Sequence, residues 1–144
     1  MAKNLAFFDS NILIAASISG HIHHAASNAR LALLQRSGGA CASHTLAEAY
    51  NTLTAHPKGY GVPPADAALI LQQASQTYTL VSLTPKETLR AIEDAALQGL
   101  PGGIVYDALL IACARKIDAS VIYTNNVKHF CRIAPNLASR IREP

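Results

Sequence analysis

Residues 4–13 read Asn4-Leu5-Ala6-Phe7-Phe8-Asp9-Ser10-Asn11-Ile12-Leu13. The run Asn4–Phe8 is short, apolar and aromatic, which is the pattern of a buried strand, and Asp9 ends it. From Asn11 the apolar residues continue at helical spacing to Ser17. A strand that passes straight into a helix, with an acid at the join, is the opening of a β-α unit whose strand lies inside a sheet.

The same alternation continues outward from this stretch. A helix over His21–Arg36 is stopped by Ser37-Gly38-Gly39, and Ala40–Ala42 is a brief second strand. Ser43 or His44 introduces a helix over Thr45–Ala55. His56–Pro64 is rich in Pro and Gly and reads as a loop, and Ala65–Gln76 is helical with Pro64 at its start. Tyr78–Leu83 is a third strand. Thr84 and Glu87 have the spacing of a capping box, opening a helix that runs to Gln98 and ends at Gly99. After the Leu100–Gly103 loop, Ile104–Lys116 is a helix and Ala119–Tyr123 a strand rich in β-branched residues. The expected fold class is α/β: one three-layer α/β/α domain over residues 1–144, with a central and largely parallel sheet. No internal repeat, low-complexity tract or linker interrupts it.

Composition narrows the class further. Half of the 144 residues are hydrophobic and 15% are charged, enough apolar material for a core and too little charge for disorder. The longest apolar run, Ile104–Ala114, falls short of the roughly 20 residues that span a bilayer. Lys3 is followed closely by Asp9 with no small-residue cleavage site, so no signal peptide is expected and the cytoplasm is the default location. Cys41, Cys113 and Cys131 are three, far apart, and suit neither a disulfide framework nor a zinc site; Cys41 and Cys113 sit in apolar segments as buried thiols. A net charge of +3 permits an acidic partner without demonstrating one.

Six of the nine acids, Asp66, Glu87, Glu93, Asp94, Asp118 and Glu143, fall at helix starts, on polar faces, in turns or at the terminus. Asp9, Glu48 and Asp107 do not. Asp9 directly follows Leu-Ala-Phe-Phe, Glu48 is the sole acid between Thr45 and Ala55, and Asp107 is the sole charge in Ile104–Ala114. Taken singly, Asp9 could cap a helix, Glu48 could be one polar position on a half-exposed helix, and Asp107 could be a first-turn acid. Taken together they are three carboxylates in segments expected to be interior, where an unpaired charge costs several kcal/mol or is neutralised. Ligands of open α/β sheets bind outside the carboxyl ends of the strands. Asp9 lies at one such end and Thr124-Asn125-Asn126 at another, with Glu48 and Asp107 expected in the first turns of helices facing that edge. If the three converge, a divalent cation supplies the missing charge, and hard oxygen donors favour Mg²⁺ or Mn²⁺ over zinc.

Four segments carry a family resemblance. Asp9-Ser10-Asn11-Ile12-Leu13 resembles the opening motif of PIN domains, and Leu46-Ala47-Glu48-Ala49-Tyr50 the second. Asp107-Ala108-Leu109 with Ile111-Ala112 resembles the third, and Thr124-Asn125-Asn126 through Phe130 the closing one. They occur in order, over residues 5 to about 133, and within PIN domains they look most like the VapC-type toxins.

The resemblance implies a metal-dependent endoribonuclease acting as the toxin of a toxin–antitoxin pair, with Mg²⁺ or Mn²⁺ as cofactor. Asp9 and Asp107 would ligate the metal, and Glu48 would complete the shell or hold a water beside it. Ser10, Asn11, Thr124, Asn126 and His129 would orient the carboxylates through hydrogen bonds. Products with a 5′-phosphate and a 3′-hydroxyl, a homodimer, and a VapB-like antitoxin bound across an apolar groove are implied in the same way, Leu46, Leu53, Leu69 and Ile70 being apolar residues beyond the evident needs of the core. His129 stands where the family commonly has an acid before the final Phe, which leaves three carboxylates and argues against a tightly held second metal. Two other readings fit the motifs: a PIN nuclease of RNA maturation or decay without an antitoxin, and a non-catalytic PIN fold that binds RNA or protein.

Other features add little. His21, His23 and His24 have no spacing that puts three ligands on one helical face and read as a polar helix start. His44 and His56 read as ordinary surface or loop residues. Lys128, Arg132, Arg140 and Arg142 gather positive charge near the closing motif, where Lys128 and Arg132 could contact RNA phosphate. Lys58 and Tyr60 could add a further phosphate contact and a stacking ring.

Overall fold

The computed structural model describes residues 4–144. Five strands form one sheet in the order β3-β2-β1-β4-β5, every neighbouring pair parallel. They are β1 (Ala6–Phe8), β2 (Gly39–Ala42), β3 (Thr79–Val81), β4 (Val121–Tyr123) and β5 (Ile141–Arg142). The helices are α1 (Ser10–Ser17), α2 (His24–Ser37), α3 (Ser43–Thr54), α4 (Pro64–Thr77), α5 (Pro85–Leu97), α6 (Ile104–Lys116) and α7 (Val127–Ile133), with a 3₁₀ segment over Pro135–Arg140.

Successive residues of a strand point to opposite faces, and here that alternation builds two cores. Phe8, Cys41 and Tyr123 face the layer holding Ile12, Leu31, Leu53 and Tyr78. Phe7, Ala40, Ala42 and Ile122 face the layer holding Leu110, Cys113 and Phe130. The arrangement is the expected three-layer α/β/α sandwich. β1 is its central strand, paired with β2 on one side and β4 on the other. Burial pushes the Cys41 thiol up to about 12 and the Cys113 thiol up to about 11, so both behave as inert core residues, as their apolar flanks suggest.

The local signals hold at several joints. Thr84 and Glu87 form a reciprocal capping box, the Glu87 carboxylate accepting from Thr84 N–H at 2.8 Å and Thr84 Oγ1 from Glu87 N–H at 3.1 Å. Gly38 (φ 104°) and Gly99 (φ 68°) follow α2 and α5 in backbone conformations that side-chain-bearing residues rarely adopt.

Other boundaries differ from expectation. α2 begins at His24, because His21–His23 form turns in which His21 Nδ1 accepts from His23 N–H at 3.0 Å. α3 begins at Ser43 and α1 at Ser10, one or two residues early. The early start of α3 puts Glu48 in its second turn rather than its first. β4 is not the last strand. The two-residue β5 pairs beside it, and α7 and the 3₁₀ segment lead to it, all three missing from the sequence-based assignment. No described helix is long and apolar enough to cross a membrane.

Candidate metal centre

Asp9 leaves β1 at the carboxyl edge of the sheet, where its N–H donates to Tyr123 O at 3.0 Å. Its position is that of the N-cap of α1, yet its side chain makes no capping bond. The simple cap reading therefore fails. The carboxylate is 5% exposed. Thr124 Oγ1, fully buried after β4, donates to Oδ2 at 2.9 Å, and Ser10 Oγ lies 3.2 Å from Oδ1. Burial drives the Asp9 pKa up to about 6; the Thr124 bond opposes this, repulsion from Asp107 adds to it, and Ser10 opposes it.

Ser10 Oγ also lies 3.3 Å from Glu48 Oε2, so one hydroxyl stands between two carboxylates. A serine has one proton to donate. With both acids ionised, one of the two contacts is left as oxygen against oxygen with no proton between them. Burial, and then repulsion from Asp9, raises the Glu48 pKa as well. Its other oxygen, Oε1, is 3.3 Å from His44 Nε2, one helical turn back. The contact lacks hydrogen-bonding geometry, and both atoms are buried with no hydrogen-bond partner among the described residues. Burial also lowers the His44 pKa, so at neutral pH this contact is a dipolar one rather than an ion pair.

Asp107 lies in the first turn of α6 and about 30% of its side chain is exposed; that of Glu48 is 34% exposed. Of the three acids expected in the interior, Asp9 alone is fully buried, because Glu48 and Asp107 face the open sheet edge. His129 Nε2, from α7, is 2.8 Å from Asp107 Oδ2.

The other expected site residues are placed unevenly. Ser10 and Thr124 touch the carboxylates. Asn126 contributes its backbone, its N–H donating to Thr124 Oγ1 at 3.0 Å, which aims the Thr124 proton at Asp9. Asn11 Oδ1 accepts from Asn125 N–H at 3.3 Å and ties α1 to the loop after β4 instead of holding an acid. Lys58, Tyr60, Lys128 and Arg132 make no hydrogen bond or ion pair to the three acids among the described residues. Tyr60 sits in the loop after α3, its ring 6.1 Å from that of His21. Lys128 and Arg132 line a shallow depression with Asn125 and Asn126.

Sequence reasoning misjudged His44, which is half-buried beside Glu48 rather than an ordinary surface residue. The signal was its i, i+4 spacing to Glu48, hidden because the helix was started at Thr45.

Among the described residues no three His, Cys, Asp or Glu side chains already close around one point tightly enough to hold an ion. The chemistry of the donors nonetheless fits a hard cation. Carboxylate oxygens carry uncompensated charge in a buried setting, Asp9 is held far above the usual carboxylate range, and Glu48 Oε1 has no hydrogen-bond partner among the described residues.

The PIN domain family model matches residues 6–135. The chain is 34% identical to Ribonuclease VapC27 of Mycobacterium tuberculosis over 106 residues, 74% of each protein. Its fold is similar to that of M. tuberculosis VapC20, a toxin that cleaves the sarcin-ricin loop, with a TM-score of 0.69 at 18% identity over 88% of this chain and 94% of that one. It is similar also to VapBC2 of Rickettsia felis, solved bound to a DNA fragment from its promoter, with a TM-score of 0.66 at 22% identity over 96% of this chain and 98% of that one. At these identities the structural likeness is one of fold.

Proposed function

The chain belongs to the PIN domain family, and on that premise we propose that it is a divalent-metal-dependent endoribonuclease, the toxin of a toxin–antitoxin pair. The observation that carries this reading is the buried Asp9 carboxylate, hydrogen-bonded by Thr124 and linked through Ser10 to Glu48.

Asp9 and Asp107 would hold Mg²⁺ or Mn²⁺, with Glu48 completing the set. The ion would polarise a phosphodiester oxygen and make water more acidic when RNA is bound. The protein's own residues do the rest. Thr124 and Ser10 fix both Asp9 oxygens, so its orientation costs nothing at the moment of reaction. Glu48, with a raised pKa and a carboxylate partly open at the sheet edge, can take a proton from water entering beside the phosphate. His129 holds Asp107 Oδ2 and steers its carboxylate from α7. Lys128 and Arg132, on the same helix, would meet flanking phosphates, with Lys58 and Tyr60 as a more distant contact.

A VapB-like antitoxin belongs to this reading, supported by the co-solved R. felis pair. A groove between α1, α2 and α4 offers it a mixed seat, in which Ile70 and Leu13 lie among Asn28, Gln35, Gln73 and Gln76, rather than the apolar groove that the resemblance implies. Leu53 and Leu46 are taken up by the core, whereas Leu69 on α4 is left exposed. The antitoxin would place an Arg among the metal-free acids, where a guanidinium grips two carboxylate oxygens. A homodimer in the cytoplasm completes the picture, with Leu89, Ile92 and Leu97 exposed on α5 as apolar area to cover.

The test is cleavage of a structured RNA by the purified protein with Mg²⁺ or Mn²⁺, with chelator, and with the Asp9→Asn variant. Cuts leaving a 5′-phosphate and a 3′-hydroxyl, lost in the last two conditions, are expected. RNA bound but never cut would favour the non-catalytic reading, for which the His129–Asp107 contact is the supporting observation. An inhibitory partner whose affinity ignores Asp9→Asn combined with Asp107→Asn would remove the arginine mechanism.

A further inference from the structure

A cavity of about 450 Å³ adjoins Glu48. It lies over the carboxyl ends of β2 and β3, one and two strands across from Asp9. Val81, Leu83 and Leu109 give it apolar walls, and Tyr106, the residue before Asp107, presents a ring that is 58% exposed. Polar groups converge on the same space. The Ser43 and Ser82 hydroxyls bond to each other across it, leaving lone pairs free to accept, and Thr88 Oγ1 spends its proton on Thr84 O. At the Glu48 end, His44 Nε2 is buried with no hydrogen-bond partner among the described residues.

Apolar walls with a few convergent polar groups make a binding site rather than a packing gap. Among the described residues its lining contains no lysine or arginine and includes the Glu48 carboxylate, so it offers a phosphate no countercharge. A flat, uncharged group with hydrogen-bonding edges fits it: the ring of Tyr106 meets the flat face, and the hydroxyls and imidazole meet the edge. A strand whose phosphate sits at Asp9 and Glu48 must direct its neighbouring base somewhere close by.

We propose that this cavity takes one nucleobase of the RNA strand next to the scissile phosphate, stacked on Tyr106 and read by His44, Ser43, Ser82 and Thr88. The assignment rests on the ribonuclease reading and gives it a specificity-determining subsite.

The test titrates the full chain, with Mg²⁺ present, with each of the four nucleoside 5′-monophosphates and with ribose 5-phosphate, following backbone amide signals. Saturable shifts at Ser82–Thr88, away from the metal ligands, are expected with the nucleotides and not with ribose 5-phosphate. One base should bind at least about fivefold more tightly than the weakest, the scale of a single hydrogen bond at the base edge. Tyr106→Leu and Ser82→Ala, both at exposed positions, should weaken it about fivefold or more and change the base flanking the cut in a pool of randomised oligoribonucleotides. Equal shifts with ribose 5-phosphate, no shifts, or shifts that follow protein concentration because a second copy fills the cavity would each overturn the proposal. Cleavage of the pool without shifts discards the base site and leaves the ribonuclease standing. Base-selective shifts in a protein that cuts no RNA keep the base site and discard the ribonuclease.

Discussion

Glu87 and Asp9 both stand at the start of a helix, and their surroundings drive them in opposite directions. Glu87 is solvated at the head of α5, where Lys116 at 2.7 Å, and then the Thr84 backbone, hold its pKa down to about 2. Asp9 is enclosed at the head of α1, where burial holds its pKa up to about 6. One carboxylate is surrounded by what its charge requires. The other keeps its charge against its surroundings, with hydroxyls for partners and two more acids for neighbours. A helix-start acid is thus a stabiliser or a poised ligand according to what the rest of the chain brings to it.

The sharpest way to break the contrast is to neutralise each acid. Asp9→Asn should reduce cleavage to the level seen in chelator while raising metal-free stability at pH 8 by about 2 kcal/mol, since it removes a buried charge. Asp107→Asn should also abolish cleavage, with metal-free stability equal or slightly raised. Glu87→Gln should lower the melting temperature and leave cleavage unchanged. A large loss of stability in Asp9→Asn, measured by thermal melts in chelator, would make Asp9 structural.

Acidity sharpens the same comparison. Folded Asp9 binds its proton more tightly than the unfolded chain does, so metal-free stability falls as pH rises from about 4 to about 6, by about 3 kcal/mol from this group. Glu48, also raised, acts in the same sense. Folded Glu87 binds its proton less tightly, so its contribution is complete above its ordinary 4.5 and is lost as pH falls toward 2. Denaturant midpoints across pH 3–8 should therefore show a falling limb that Asp9→Asn largely removes, and an acid limb that Glu87→Gln reduces. A wild-type protein in chelator that gains stability between pH 4 and 6 would contradict the placement of Asp9.

Smaller effects separate the partners. Thr124→Val, which deletes the donor to Asp9, should weaken Mg²⁺ binding by about tenfold in calorimetry. Thr84→Ala should cost about 1 kcal/mol of stability with no change in metal affinity. The smallest effect is expected at His129. Mn²⁺ should support a somewhat higher rate than Mg²⁺, because imidazole is a more acceptable ligand to it, and His129→Asp should strengthen a second metal site. Two Mg²⁺ bound tightly by the native protein without RNA would end that account.

The difference between the two acids also explains what could be read in advance. The capping box lies within four residues, Thr84 to Glu87, so its geometry is written locally. The β-α rhythm and the two-faced strands are likewise local periodicities, and the family motifs named the three acids. What escaped depends on distance along the chain. The resemblance marked Ser10 and Thr124 as residues that orient carboxylates, but not which acid each meets: Thr124 reaches Asp9 across 115 positions and Ser10 reaches Glu48 across 38, and no local pattern states such a contact. The pairing of His129 with Asp107 and the diversion of Asn11 to Asn125 belong to the same class, whereas Asn126 reaches Thr124 from two residues away but through its backbone N–H, which the identity of a side chain does not reveal. β5 escaped for a different reason: two residues are too few for an alternation to be seen.

The Asp9–Thr124 bond has a consequence in time. At about 5–20 residues per second, Thr124 leaves the ribosome roughly 6–20 s after Asp9. Until then β1 lacks its β4 neighbour, and Asp9 has neither the hydroxyl that orients it nor the Tyr123 carbonyl that receives its N–H. A nascent chain still tied to the ribosome that is making it therefore carries Asp9 without the surroundings that poise it.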